Sequence, residues 1–92
     1  MDIDAFKTQL ASDGYDEVVE KEMDAGKFVD EHTHPFDVRA LVLSGSATIV
    51  CGGESKTYVA GDTLEMAANT PHTEQYGEAG YRFLVGMRAP ES

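Results

Sequence analysis

The sequence predicts an all-β domain, a sandwich or barrel, preceded by one short helix. Three observations lead there. Short apolar stretches recur about every 8–12 residues along most of the chain. Gly, Pro, Asn and Asp fall between them with the chemistry of turns. Only the first dozen residues place apolar side chains at the helical period. The 92 residues suit one domain. Residues 1–14 are expected to form a helix packed on the barrel, and residues 15–92 the barrel itself.

In chain order, Ile3, Phe6 and Leu10 share one helical face, and Asp2 or Asp4 can cap the start. Ser12-Asp13-Gly14 stops the helix, whose single apolar stripe must pack on the outside of a sheet. Strands are expected at 15–22, 27–34, 38–43, 47–51, 56–59, 63–66, 72–76 and 81–87. The breaks between them are Asp24-Ala25-Gly26, His34-Pro35, Ser44-Gly45, Gly52-Gly53, Ala60-Gly61-Asp62, Asn69-Thr70-Pro71 and residues 77–80. Gly52-Gly53 between two alternating runs predicts a hairpin, and Asp62 is expected to bond within its own turn. Phe28, Val38, Ala40, Val42, Phe83 and Val85 are expected to line the barrel, with Met23, Met66 and Met87 as apolar filler.

The formal charge of −10 argues against nucleic acid, whose phosphates require clustered Lys and Arg. It argues equally against anionic membrane surfaces. No apolar run approaches the roughly 20 residues that cross a bilayer. Asp2 and Asp4 carry the wrong charge for a secretory leader, and the single Cys51 allows no intrachain disulfide. A cytoplasmic protein is expected, with Cys51 as a buried core thiol.

All three histidines sit where one metal could collect them. His32 and His34 flank Thr33, and on an extended segment alternate side chains point the same way. His72, after Pro71, can complete a three-histidine face that leaves coordination positions open. If the strand after His72 alternates, Glu74 and Tyr76 share its face. Glu74 could then serve as ligand, general base or orienter of a histidine, and Tyr76 could donate a hydrogen bond to an oxyanion on the metal. Asp37 should point away by its parity with Val38. Arg39 could pair with Asp37, line a dimer interface, or bind an acidic ligand.

Gly26, His32, His34 and Gly45 follow the frame G-x5-H-x-H-x3-E-x6-G, with Val38 at the glutamate position. Gly61 to Tyr76 is similar to a second frame, G-x5-P-x-G-x2-H-x3-N, in which Ala67, Asn69 and Tyr76 replace the proline, glycine and asparagine. Together these resemble the two motifs of the cupin superfamily. The resemblance implies a small antiparallel jelly-roll barrel with one divalent metal (Fe, Mn, Ni or Zn) held in one mouth. It also implies a common tendency to form homodimers. Cupins of this kind include dioxygenases, isomerases and lyases, so a metal-dependent enzyme acting on a small oxygenated molecule is the leading expectation. A non-catalytic small-molecule binding or sensor cupin, working with a separate partner, is the alternative. Fold alone does not choose between them.

Overall fold

The computed structural model describes residues 1–90; the last two residues of the expected barrel, 91 and 92, lie outside the described residues. One helix, α1 (Ile3–Ser12), precedes six strands: β1 (Glu17–Met23), β2 (Phe28–His32), β3 (Asp37–Cys51), β4 (Glu54–Val59), β5 (Thr63–Met66) and β6 (His72–Arg88). Every pairing between them is antiparallel. Asp2 caps the helix, its side chain accepting from the Ala5 N–H at 2.9 Å.

Six strands stand where eight were expected, because two expected breaks lie inside strands. Ser44-Gly45 is a corner within β3, and residues 77–80 form a corner within β6. The long strands β3 and β6 pair along their whole length, with register shifts between Val42 and Ser44 and between Gly45 and Ala47. Before the β3 corner the neighbours run β5–β3–β6–β1; beyond it they run β4–β3–β6–β2. The bulges thus bend one sheet into two facing halves, as strands do when they cross between the layers of a sandwich. The result is a jelly roll. At the crossing, Gly45 has φ +72°, and a Cβ there would fall 2.0 Å from the Gly80 carbonyl oxygen.

The expected hairpin is present. Cys51 pairs with Glu54 across Gly52-Gly53, whose φ values of +60° and +81° are the positive pair that a type I′ turn requires. Asp62 also behaves as expected, accepting from the Val59 N–H at 2.9 Å.

Val42, Ala47, Ile49, Tyr76 and Tyr81 form the packed core between the two halves. Val38, Ala40, Phe83 and Val85 line an adjoining cavity together with Met23, Met66 and Met87. Phe28 does not line it: the residue is 54% exposed, because it pairs with Gln75 on the outer face, out of phase with Val29. Val42 packs in the core rather than on the cavity wall. Cys51 is half-buried, not a core thiol, because it ends β3 at the open hairpin.

Arg39 pairs with Asp13 and Glu65, not with Asp37, which takes Arg88 instead at 3.0 Å. Both guanidinium groups flank the buried Tyr15 ring, at 4.8 Å and 4.6 Å from its centroid. Arg88 also donates to the Asp13 carbonyl at 2.7 Å. With the fully buried Leu10, this clamp fastens the end of α1 to the outer face of β3 and β6. No helix among the described residues is long and apolar enough to cross a membrane.

Candidate metal centre

His72 opens β6, and Glu74 and Tyr76 follow on the same inward face, as strand alternation predicts. His32 ends β2 directly opposite His72. His34 follows in the loop before β3, and its carbonyl accepts from the Asn69 N–H at 2.7 Å. Asn69 has φ +63° at the position where the motif carries glycine; asparagine is among the few other residues that tolerate this region. That bond ties the loop entering His72 to the loop holding His34. Asp37 secures the same loop by accepting from the Ala68 N–H at 2.8 Å. Asp37 does not line the cavity while Val38 does, in keeping with its expected parity.

The donor atoms of His32, His34, His72 and Glu74 all lie within 4.8 Å of one another. Ring centroids stand 4.2 Å apart for His32 and His72, 4.9 Å for His32 and His34, and 5.2 Å for His34 and His72. With metal–ligand bonds of about 2.0–2.2 Å, donors on opposite sides of an ion sit roughly 4.2 Å apart. The widest pair would have to close by about 0.6 Å for the four to share one ion.

Hydrogen bonding sets the tautomers. His32 Nδ1 lies 2.8 Å from the Asp30 carbonyl and His72 Nδ1 lies 2.9 Å from the Thr70 carbonyl. A carbonyl only accepts, so each Nδ1 carries a proton, which leaves Nε2 bare in the neutral ring. Both Nε2 atoms face one oxygen of Glu74, at 3.1 Å and 3.5 Å. Two lone pairs aimed at a carboxylate oxygen repel it unless a cation, proton or metal, lies among them. His34 is held below the ordinary histidine value, first by burial and then by its histidine neighbours, with Glu74 opposing and Lys21 adding to the shift. A neutral imidazole is the form a metal binds.

Glu74 thus places a carboxylate beside the three histidines, where the motif's own glutamate position holds Val38. It comes from β6 rather than from the β3 position of the motif, and Val38 instead forms part of the apolar wall. Tyr76 donates to the other Glu74 oxygen at 3.3 Å, so in this structure its hydroxyl orients Glu74. Burial raises the pKa values of Tyr76 and Tyr81, and the Glu74 charge raises them further. Both stay protonated phenols. Tyr81 and Lys21 also line the cavity and were missed in the sequence. Their signal was alternation: Lys21 shares the parity of Met23, and Tyr81 that of Phe83 and Val85.

The cavity holds about 240 Å³, with the histidines and Glu74 at one end and apolar side chains along most of its wall. A jelly-roll barrel with a histidine and carboxylate cluster inside one mouth defines a class, and the fold is that of the cupins. No protein-family model matches the sequence, and no curated protein matches it. Solved structures do match. A cupin protein from Bacteroides fragilis superimposes with a TM-score of 0.67 at 26% identity, over 82% of this chain and 66% of that one. The DMSP lyase DddQ from Ruegeria pomeroyi gives a TM-score of 0.67 at 26% identity, over 78% of this chain and 36% of that one. An RmlC-like cupin from Shewanella frigidimarina gives 0.66 at 22% identity, over 80% and 67%. The chain therefore spans about two thirds of the first and third and little more than a third of DddQ.

Proposed function

We propose that this chain is a metal-dependent cupin enzyme. One divalent transition metal, Fe, Mn, Ni or Zn, is held by His32, His34 and His72, with Glu74 completing the set. The observation that carries the reading is the convergence of four donor groups: the ligand atoms of His32, His34, His72 and Glu74 all lie within 4.8 Å of one another. Imidazole and carboxylate donors suit these ions. A bound ion supplies Lewis acidity toward an oxygen of the substrate. The chain's own residues do the rest. The apolar wall excludes water and holds the body of a small oxygenated molecule. Glu74, beside the histidines on the cavity wall, would accept a proton from the bound molecule. Tyr76 holds Glu74 in place through its hydroxyl.

Proton transfer of this kind belongs to lyases and isomerases. The likeness to DddQ supports the lyase; dioxygenase chemistry is the reading if the ion is iron. The cytoplasm and a homodimer are part of the same proposal.

Elemental analysis of untagged protein is the test. We expect about one ion per chain in wild type and none in a His32→Ala/His72→Ala double variant. Wild type that stays metal-free after reconstitution overturns the reading and leaves a ligand-binding barrel.

A further inference from the structure

β1 breaks the chemistry of the wall it helps to build. Its inward positions alternate: Met23 pairs with Tyr81, Lys21 with Phe83, and Val19 with Val85. Lys21, Met23, Tyr81, Phe83 and Val85 all line the cavity. Lys21 thus occupies a register position where an apolar residue would serve the barrel, while Glu20 and Glu22 take the opposite parity. It is the cavity's one lysine or arginine among the described residues, in a chain with seven such residues against 17 Asp and Glu. Like the other lysines, Lys21 makes no ion pair within 4 Å among the described residues; it differs from them in lining the cavity. It is exposed although it lines the cavity, so its ammonium is open to solvent. A departure from local patterning with no structural gain is where function is expected.

We propose that Lys21 is the anion-recognition residue of this cavity, and that the ligand is a small carboxylate with an apolar body. The Lys21 ammonium takes the carboxylate. Phe83, Met23, Val85 and their neighbours take the body, and the His–Glu cluster takes an oxygenated group of the same ligand. The volume limits the ligand: 240 Å³ is about eight water volumes. A cation open to solvent also offsets the repulsion that a chain of charge −10 exerts on an anion. The inference rests on the cavity being the ligand site named above.

The test compares hexanoate with hexan-1-ol, titrated into chelator-treated protein and followed by backbone amide chemical shifts. Metal content of each variant is measured separately. Lys21→Met keeps the apolar stem and removes the charge; Lys21→Arg keeps the charge. We expect Lys21→Met to weaken hexanoate about fivefold, the scale of a partly exposed charge contact, and to leave hexan-1-ol unchanged. Lys21→Arg should stay within about twofold of wild type, and about 1 M salt should erase the preference for hexanoate. Metal loading of Lys21→Met should match wild type. Four results each overturn the assignment: no saturable hexanoate binding by wild type, equal hexanoate affinity in wild type and Lys21→Met, parallel loss of both probes, or loss of metal from Lys21→Met. A wild type that takes no metal yet shows the Lys21 pattern would sink the metal reading and leave this one standing.

Discussion

A carboxylate oxygen 3.1 Å and 3.5 Å from the Nε2 atoms of His32 and His72 is an arrangement that calls for a cation, proton or metal, among them. Glu74 is therefore the residue on which the site turns, and Tyr76 is the residue that holds it. Tyr76→Phe removes one hydrogen bond to Glu74 and little packing. It should lower metal affinity about 10–100-fold, the usual effect of losing a partner that orients a ligand. Its stability should change by only about 1 kcal/mol. Glu74→Gln, which removes the charge itself, should lower affinity further and abolish proton transfer. Competition against a chelator of known affinity measures both, and a Tyr76→Phe variant that binds metal like wild type would show that Glu74 needs no such support.

At the scale of elements, β3 and β6 position everything, and their corners are the vulnerable points. Gly45→Ala combines a positive φ with a Cβ placed 2.0 Å from the Gly80 carbonyl oxygen. The loss should reach about 3 kcal/mol or more, read from the urea midpoint. The helix clamp makes a different prediction, in pH. Asp13 lies below the ordinary 3.8, chiefly through its hydrogen bond from Arg39. Asp37 lies below 3.8 through the Ala68 N–H and then Arg88. In both, the unfolded chain binds protons more tightly than the folded one. Their stabilisation is complete above about pH 5, begins to fall near the unfolded value of 3.8 and is lost as pH falls through the folded values. Urea unfolding between about pH 5 and pH 3 should show that decline, and Asp37→Asn should make it shallower. An unchanged slope in that variant would remove Asp37 from the account.

For the whole molecule, the packed core of Val42, Ala47, Ile49, Tyr76 and Tyr81 adjoins the histidine–glutamate cluster and is built from apolar and aromatic side chains. The chelated protein should remain folded. A ligand that binds only the folded state stabilises it by about 2.7 kcal/mol at 100 times its Kd. For a domain of this size that is a rise in Tm of about 10 °C or more. Wild type heated with each of the four ions should show the rise for the ions it binds. His72→Ala should show none, and an equal rise in that variant would locate the bound metal elsewhere. The charge of −10 acts in the opposite sense through self-repulsion, so added neutral salt should raise Tm in both proteins.

The features legible in the sequence were those decided by near neighbours. The Gly52-Gly53 hairpin, the Asp2 cap and the Asp62 turn each depend on residues within a few positions. The shared face of His72, Glu74 and Tyr76 needs only the period of a strand. The two histidine frames, which resemble the cupin motifs, located the cluster that the fold assembles. What the sequence could not decide were the choices made by partners far along the chain. A glycine of positive φ is compatible with a turn that ends a strand or with a corner that carries it into a second layer. Ser44-Gly45 became a corner because residues 77–80 of a strand over thirty positions away cross it. Phe28 faces outward because its register against Gln75 was set by β6 and not by its own apolarity. Arg39 took Asp13, 26 positions distant, rather than Asp37 two positions away, because strand alternation keeps neither charge from solvent but the docked helix presents one of them to it. Local chemistry chooses conformations residue by residue; only long-range pairing of the backbone decides which of them are joined.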